Sequence, residues 1–433
     1  VGYLMPEVED FSGHSDGFTI AFTRPVASGV LNLYDTRGRE MGEPDVIFLG
    51  PDGLPVPGSL VLDIDGLGLT FVATGESLAP GQYTASLRSG DTGFKGENGR
   101  FLDGDSDGIE GGDFFATFNV SHGASGAISI PDFARGPGEA VSLDASGLGI
   151  PVTVSSESGF TRLDFTLTYD ANLLTITDFT TGPGNPDEIE VLHEELENGS
   201  VEIHLQRSAG FAQGSHVVGY LVANVPAGIG TGSSHLVGFE SGELVNDFGT
   251  IDLRFDSAVH STSYLGDFSG DGNYGTYDAA GMLGLIVGLD SGFEGALLTD
   301  PAILGDVNGN GRVGVLDARS VLRRAIGEDV PELPGRPAIG GAVGGEGAGA
   351  AVADSQASIR LGPGITGEPG EAFTTSVFVD EVAGLRSGLI RIAYDPNMVD
   401  LLGDGVFRGS LLEQGLSLGS LGICEDVIGG RSG

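Results

Sequence analysis

Asp267, Ser269, Asp271, Asn273 and Asp278 stand at positions 1, 3, 5, 7 and 12 of one short stretch, and Asp306, Asn308, Asn310, Arg312 and Asp317 repeat the arrangement further along. A hard cation takes six to eight oxygen ligands, and a tight twelve-residue loop brings alternate residues onto one point. Gly272 and Gly311 occupy position 6, where such a loop turns sharply. The chemistry offered is therefore calcium binding by side-chain oxygens at positions 1, 3, 5 and 12. The carbonyls of Asn273 and Arg312 complete each shell, with a water near Gly275 or Gly314. The first loop brings three carboxylates and the second two, so the first is expected to bind more tightly. A third acidic loop, Asp103, Asp105 and Asp107 with Gly108 following and Asp113 beyond, precedes a predicted strand and would be a calcium-stiffened hairpin.

The elements that must hold these loops are of two kinds. After each paired loop the apolar spacing Ala279, Leu283, Ile286, Val287 and Ala318, Val321, Leu322, Ala325 predicts a helix with one buried stripe. Before the paired loops the pattern is short alternating runs between turn clusters, as in a β-sandwich. Runs over 18–22, 30–34, 59–63, 69–73, 83–88 and 114–120 form a first group, and runs over 127–130, 152–155, 160–169, 173–177, 201–206, 217–224 and 251–255 a second. The 76 glycines follow no G-X-Y period, which excludes collagen and points to many turns.

Composition narrows the function classes. With 61 acidic against 20 basic residues and a formal charge of −41, the chain has no nucleic-acid footprint, and cations are its natural partners. No apolar stretch is long enough to span a bilayer. No basic and apolar leader precedes Val1, so a signal peptide is not part of this sequence. The single Cys424 forms no internal disulfide. Gly13-His-Ser-Asp-Gly17 fits a nucleophile-elbow pattern, but a strand begins at Phe18 where a helix is required. The stretches 270–275, 309–314 and 362–367 fit a dinucleotide fingerprint; two are the cation loops themselves and the third leads into Pro369. His14, His122, His193, His204, His216, His235 and His260 show no metal spacing and read as surface or strand residues. Acidic pairs are too common here to mark a glycosidase, and the chain has no Trp to stack on sugars. Asn119 and Asn198 begin glycosylation sequons.

Three resemblances organise the chain. The runs beginning Phe18-Thr-Ile-Ala-Phe, Leu69-Thr-Phe-Val-Ala and Leu78-Ala-Pro-Gly-Gln-Tyr resemble bacterial Ig-like surface-layer modules. Tyr169-Asp-Ala-Asn and Tyr394-Asp-Pro-Asn close two similar segments, 159–173 and 384–398, and both resemble the strand end of cohesin modules; the first has Ala171 where the pattern has proline. The paired loops, with Asp at position 12 and a helix after each loop but no comparable helix before, resemble a dockerin. The expected fold is thus mainly β: tandem Ig-like and cohesin-like β-sandwiches with one small α-helical two-calcium module. The segments are 1–121 Ig-like with the acidic loop, 124–262 cohesin-like, 263–329 dockerin-like, 330–355 a Gly/Ala/Pro-rich linker, and 356–433 a second cohesin-like sandwich, incomplete because few residues follow Tyr394.

The resemblance implies a non-enzymatic protein, extracellular or on the cell surface, that binds two calcium ions in the dockerin-like module, a third being expected in the N-terminal domain. It implies protein partners: other copies of the chain in a filament, joined by cohesin-dockerin-type contacts or by strand complementation, or a cohesin- or dockerin-bearing protein, with no nucleic acid and no membrane insertion. A monomeric adhesin or scaffoldin-like fragment is the alternative, and a polysaccharide-binding or polysaccharide-degrading protein a distant one. In dockerins the positions of Thr276, Tyr277, Val315 and Leu316 help contact the cohesin; here the second pair is apolar rather than hydroxylic, the spacer between the loops is longer than usual, and the module is internal.

Overall fold

The computed structural model describes residues 5–39, 41–121, 125–143, 147–181 and 189–334, and the backbone of 358–361 and 377–380. The chain divides into two compact units, Val1–Pro337 and Ala338–Gly433. In the second, Ser358–Leu361 and Val377–Asp380 pair as antiparallel strands. The repeat at 384–398 and Cys424 lie outside the described residues.

The first unit opens with β1 (Val8–His14), β2 (Gly17–Phe22), β3 (Val46–Leu49), β4 (Gly58–Leu62), β5 (Gly68–Ala73), β6 (Gly81–Leu87) and β7 (Phe114–Val120). They form two sheets, β1-β2-β5-β4 and β3-β6-β7. Aromatic rings close the space between them, with Phe18 stacked on Phe71 at 5.4 Å and Phe48 meeting Phe71 at 5.1 Å. Ring pairs of this kind add to plain area burial. The run expected as a strand at 30–34 is instead a 3-10 turn, Ser28–Val30, followed by a loop. Leu31 and Leu33 are buried there, so the apolar alternation is real. Their backbone, however, bonds to a distant segment, Leu33 N–H and Tyr34 N–H both donating to Leu297 O.

The middle of the chain supplies β8 (Gly126–Ser129), β9 (Phe133–Ala134), β10 (Ala140–Val141), β11 (Ile150–Ser156), β12 (Phe160–Thr168), β13 (Thr175–Thr180), β14 (Glu190–Glu197), β15 (Ser200–Phe211), β16 (Gly214–Asn224), β17 (Ser234–Asn246), β18 (Gly249–Ile251), β19 (Leu253–Asp256) and β20 (Ala258–Ser261). One sheet runs β10-β16-β11-β8-β19 with β13 beside β16; the other runs β14-β15-β12-β17-β20-β9 with β18 beside β17. Leu163, Phe165 and Leu167 of β12 and Val201, Ile203 and Leu205 of β15 point into the shared core. The intervening residues face outward, as period-two alternation requires.

Helices α1 (Thr276–Ile286), α2 (Pro301–Gly305) and α3 (Val315–Ala325) complete the unit, α1 packing against α3. Among the described residues no helix is long and apolar enough to cross a membrane. Their buried face is narrower than the sequence pattern implies. Ala279, Met282, Ala318 and Val321 are buried, whereas Leu283, Val287 and Leu322 are exposed. The helices pack against each other and against loop residues such as Phe268, Phe293 and Leu333, and this leaves the rest of the apolar stripe uncovered.

The long spacer between the two loops is a strap. Asp290 receives the backbone N–H of Arg37 at 2.8 Å and its guanidinium at 2.9 Å, Leu60 N–H donates to Leu298 O, and Asp300 N–H donates to Ser59 Oγ. On the other side Ser234 and Thr299 share a hydroxyl hydrogen bond of 2.8 Å. A third core joins all parts here, with Val61 and Val72 from the N-terminal sheets, Val259 from the sandwich, and Phe268, Phe293 and Leu304 from the helical segment.

Carboxylates lie half-buried at this junction. Burial pushes Asp132 up to about 7, against two backbone N–H donors, Val259 and Gly75, that pull the other way. Asp256 is likewise raised to about 7, first by burial and then by Asp16 and Asp132. The unfolded chain ionises such a group near 3.9. Stability from this source therefore falls as pH rises from about 4 through 7. The buried pair His235 and His260 acts oppositely. Asp170 N–H donates to His235 Nδ1, leaving Nε2–H to donate to His260 Nδ1 at 2.8 Å. Burial lowers the two to about 4 and about 3, so their contribution is lost as pH falls below about 6.5. We expect Asp132→Asn to gain stability relative to the unaltered chain as pH rises from 4 to 8, read from urea midpoints. A gap of constant size across that range would show that Asp132 ionises normally.

Candidate metal centres

The first paired loop is built around Asp267, which is buried and whose Oδ1 and Oδ2 accept the N–H groups of Gly270 (3.0 Å) and Gly272 (2.8 Å). Asp271 Oδ1 accepts from Asn273 N–H at 2.7 Å. Asp278 reaches back across the loop, its Oδ1 accepting from Ser269 N–H at 3.0 Å and its Oδ2 from Gly275 N–H at 2.7 Å. Ser269 Oγ donates to Asp267 Oδ1 at 3.3 Å. Asp278 thus closes the loop and caps α1 through the same carboxylate, satisfying backbone donors that a helix start leaves open.

The second loop repeats this. Asp306 accepts from Asn310 N–H and Gly311 N–H at 3.0 and 2.5 Å, and Asn310 Oδ1 accepts from Arg312 N–H at 3.0 Å. Asp317, fully buried, accepts from Asn308 N–H at 2.9 Å, Asn308 Nδ2 at 2.6 Å and Gly314 N–H at 2.8 Å. Gly272 and Gly311 have φ of 78° and 80°, a region that side chains resist. That explains glycine at position 6.

Asp103 in the N-terminal loop makes the same two bonds, from Asp107 N–H at 3.1 Å and Gly108 N–H at 2.9 Å, and Asp107 Oδ1 accepts from Ile109 N–H. Carboxylate oxygens of Asp103, Asp105 and Asp107 lie within 4.8 Å of one another. Asp113 is engaged elsewhere, its Oδ1 accepting from Ser89 N–H at 2.9 Å. Each carboxylate oxygen has two lone pairs, so these backbone bonds leave acceptor capacity unused. All three donor sets are oxygen only and fit a hard divalent cation better than a transition metal.

Thr276, Tyr277, Val315 and Leu316 are all exposed at the starts of α1 and α3. Asn198 is exposed in the turn between β14 and β15, and Asn119 on β7. Ser15 is no nucleophile elbow: it sits in the β1–β2 turn, where its hydroxyl donates to Phe255 O at 2.8 Å. The histidines do gather in places, against expectation. His193 and His204 face each other across β14 and β15 with ring centroids 5.2 Å apart. The signal was present as His193-Glu-Glu195 and Glu202-Ile-His204, mirrored about the Asn198-Gly199 turn.

No protein-family model and no curated protein matches the chain. Solved structures similar to part of it include a non-cellulosomal cohesin from the archaeon Archaeoglobus fulgidus, at 14% identity and TM-score 0.26 over 32% of this chain and 91% of that one. The sixth cohesin of Acetivibrio cellulolyticus scaffoldin B, solved with a dockerin, matches at 18% identity and TM-score 0.27 over 32% and 98%. A cohesin module from a family 33 glycoside hydrolase of Clostridium perfringens matches at 17% and 0.24 over 32% and 97%. At this identity and score the likeness assigns no role to any residue of this chain.

Proposed function

We propose that this chain is a non-enzymatic extracellular assembly protein whose helical segment, braced by two calcium ions, docks onto a β-sandwich face of another copy. One observation carries the reading: exposed apolar residues recur at equivalent places in the two repeat units. Tyr277, Leu283 and Val287 of the first unit, 44–68% exposed, correspond to Leu316, Leu322 and Ile326 of the second, 42–68% exposed. Single exposed apolar residues are ordinary, but the same positions left open twice describe a surface. Charge supports the partner. Helix α3 carries Arg319, Arg323 and Arg324 in a chain with only 20 basic residues, while the outer face of β14-β15-β12-β17 carries Glu195, Glu202, Asp164 and Glu243. Two different surfaces meeting between copies make a heterologous contact, which propagates.

Sedimentation and electron microscopy in calcium and after chelation test this. Polymers in calcium that disperse in chelator, and that Leu316→Asp prevents, are expected. Compact single particles in both conditions would end the self-assembly reading and leave a module that docks on a foreign protein.

A further inference from the structure

The outer face of the β14–β15 hairpin holds a group of side chains that the calcium loops do not use. The register sets His193 opposite His204 and Glu195 opposite Glu202. Spacing of two residues along each strand puts all four on one face, while Val201, Ile203 and Leu205 point the other way into the core. Ligand atoms of His193, Glu195 and Glu202 lie within 4.8 Å of one another. His204 Nε2 is 2.8 Å from Glu202 Oε1.

We infer that His193, His204, Glu195 and Glu202 form a binding site for a divalent transition-metal ion of the zinc type. Two imidazoles with two carboxylates suit such an ion, whereas calcium takes oxygen ligands alone. A supporting shell is already in place. His204 Nδ1 faces Asp164 Oδ1 at 3.6 Å, and Asp164 is gripped by Arg162, whose Nε donates to Oδ1 at 3.0 Å. Metal-ligating histidines characteristically present their second nitrogen to a carboxylate in this way. Without metal, the proton on Nε2 is shared with Glu202; with metal on Nε2, the proton moves to Nδ1 and toward Asp164. The cross-strand pair Glu195 and Glu202 also places two like charges directly opposite, which destabilises a sheet. A bound cation removes that repulsion. Because β14 is the edge strand of its sheet, the ion would clip this edge to β15.

The test is zinc titration calorimetry on the full chain, with millimolar calcium present to fill the oxygen loops. It stands apart from the assembly reading, because it is run on Leu316→Asp as well as on the unaltered chain. One zinc per chain is expected, weakened at least tenfold by either His193→Ala or His204→Ala, and about 10–100-fold by Asp164→Asn, a positioning residue. Copper bound at the same place should show coupling to two nitrogens in its electron paramagnetic resonance spectrum, reduced to one in each His variant. All these residues are partly or fully solvent-exposed, so their loss leaves the core intact. Unchanged zinc affinity in the double His variant would overturn the proposal, as would absence of saturable binding in the unaltered chain.

Discussion

Replacing Asp317 by Ala is expected to cost about 1–3 kcal/mol and to remove calcium binding at the second loop while leaving the first loop able to bind. The side chain is fully buried and accepts three hydrogen bonds, from Asn308 N–H, Asn308 Nδ2 and Gly314 N–H. A donor left without its partner costs about 1–3 kcal/mol where it is buried; here Asn308 is exposed and Gly314 half-buried, so water takes over part of what alanine removes from the three donors. The ion adds a separate contribution: a ligand bound only to the folded form at a hundred times its Kd stabilises by about 2.7 kcal/mol. Melting the variant and the unaltered chain in chelator isolates the hydrogen-bond part, and repeating both in calcium isolates the ion. If calcium raises the midpoint of Asp317→Ala as much as that of the unaltered chain, the second loop holds no ion.

Phe293→Ala is expected to lose more, about 3–5 kcal/mol, by a different route. Phe293 is 1% exposed in the strap, its ring 5.3 Å from that of Phe268 and close against Gly305, where a Cβ would meet it at 2.7 Å. The cavity would open at the place where the N-terminal sheets, the sandwich and the helical segment meet. Calorimetry should therefore show a single unfolding transition splitting into two, as sandwich and N-terminal sheets lose their common tie. A single transition at an unchanged midpoint would mean that the strap contributes no coupling.

The turn geometry of the loops at 267–278 and 306–317 was legible because the residues that shape it are contiguous. Position within a twelve-residue stretch decides which backbone donors meet which carboxylate, and no distant residue is needed. Most strands were legible for a related reason, since alternation is local. β14 was missed because Glu190-Val-Leu-His-Glu-Glu-Leu-Glu197 reads as solvated chain, and only its register against β15 makes it a strand. The run at 30–34 was misread because alternation cannot say whether backbone partners are adjacent strands or a strap far along the chain. For the helices, the periodicity gave apolar positions correctly but not how much of that face would be covered. Leu283 and Leu322 match the pattern yet lie outside the seam between α1 and α3. The His193 and His204 pair and the junction carboxylates depend on pairings across turns or between segments, which composition and spacing leave unspecified.

The strap also sets an order of events during synthesis. Ser59 meets Asp300 across 241 residues of chain, and Asp35 meets Ser291 across 256. A chain leaving the ribosome at roughly 5–20 residues per second keeps those N-terminal partners waiting for roughly 10–50 s. Until then the apolar flank formed by Val61 and Val72 has nothing to cover it. The newborn N-terminal sheets are thus exposed to wrong partners for as long as the rest of the unit takes to appear, which makes this interval the stage at which a holding chaperone would matter most.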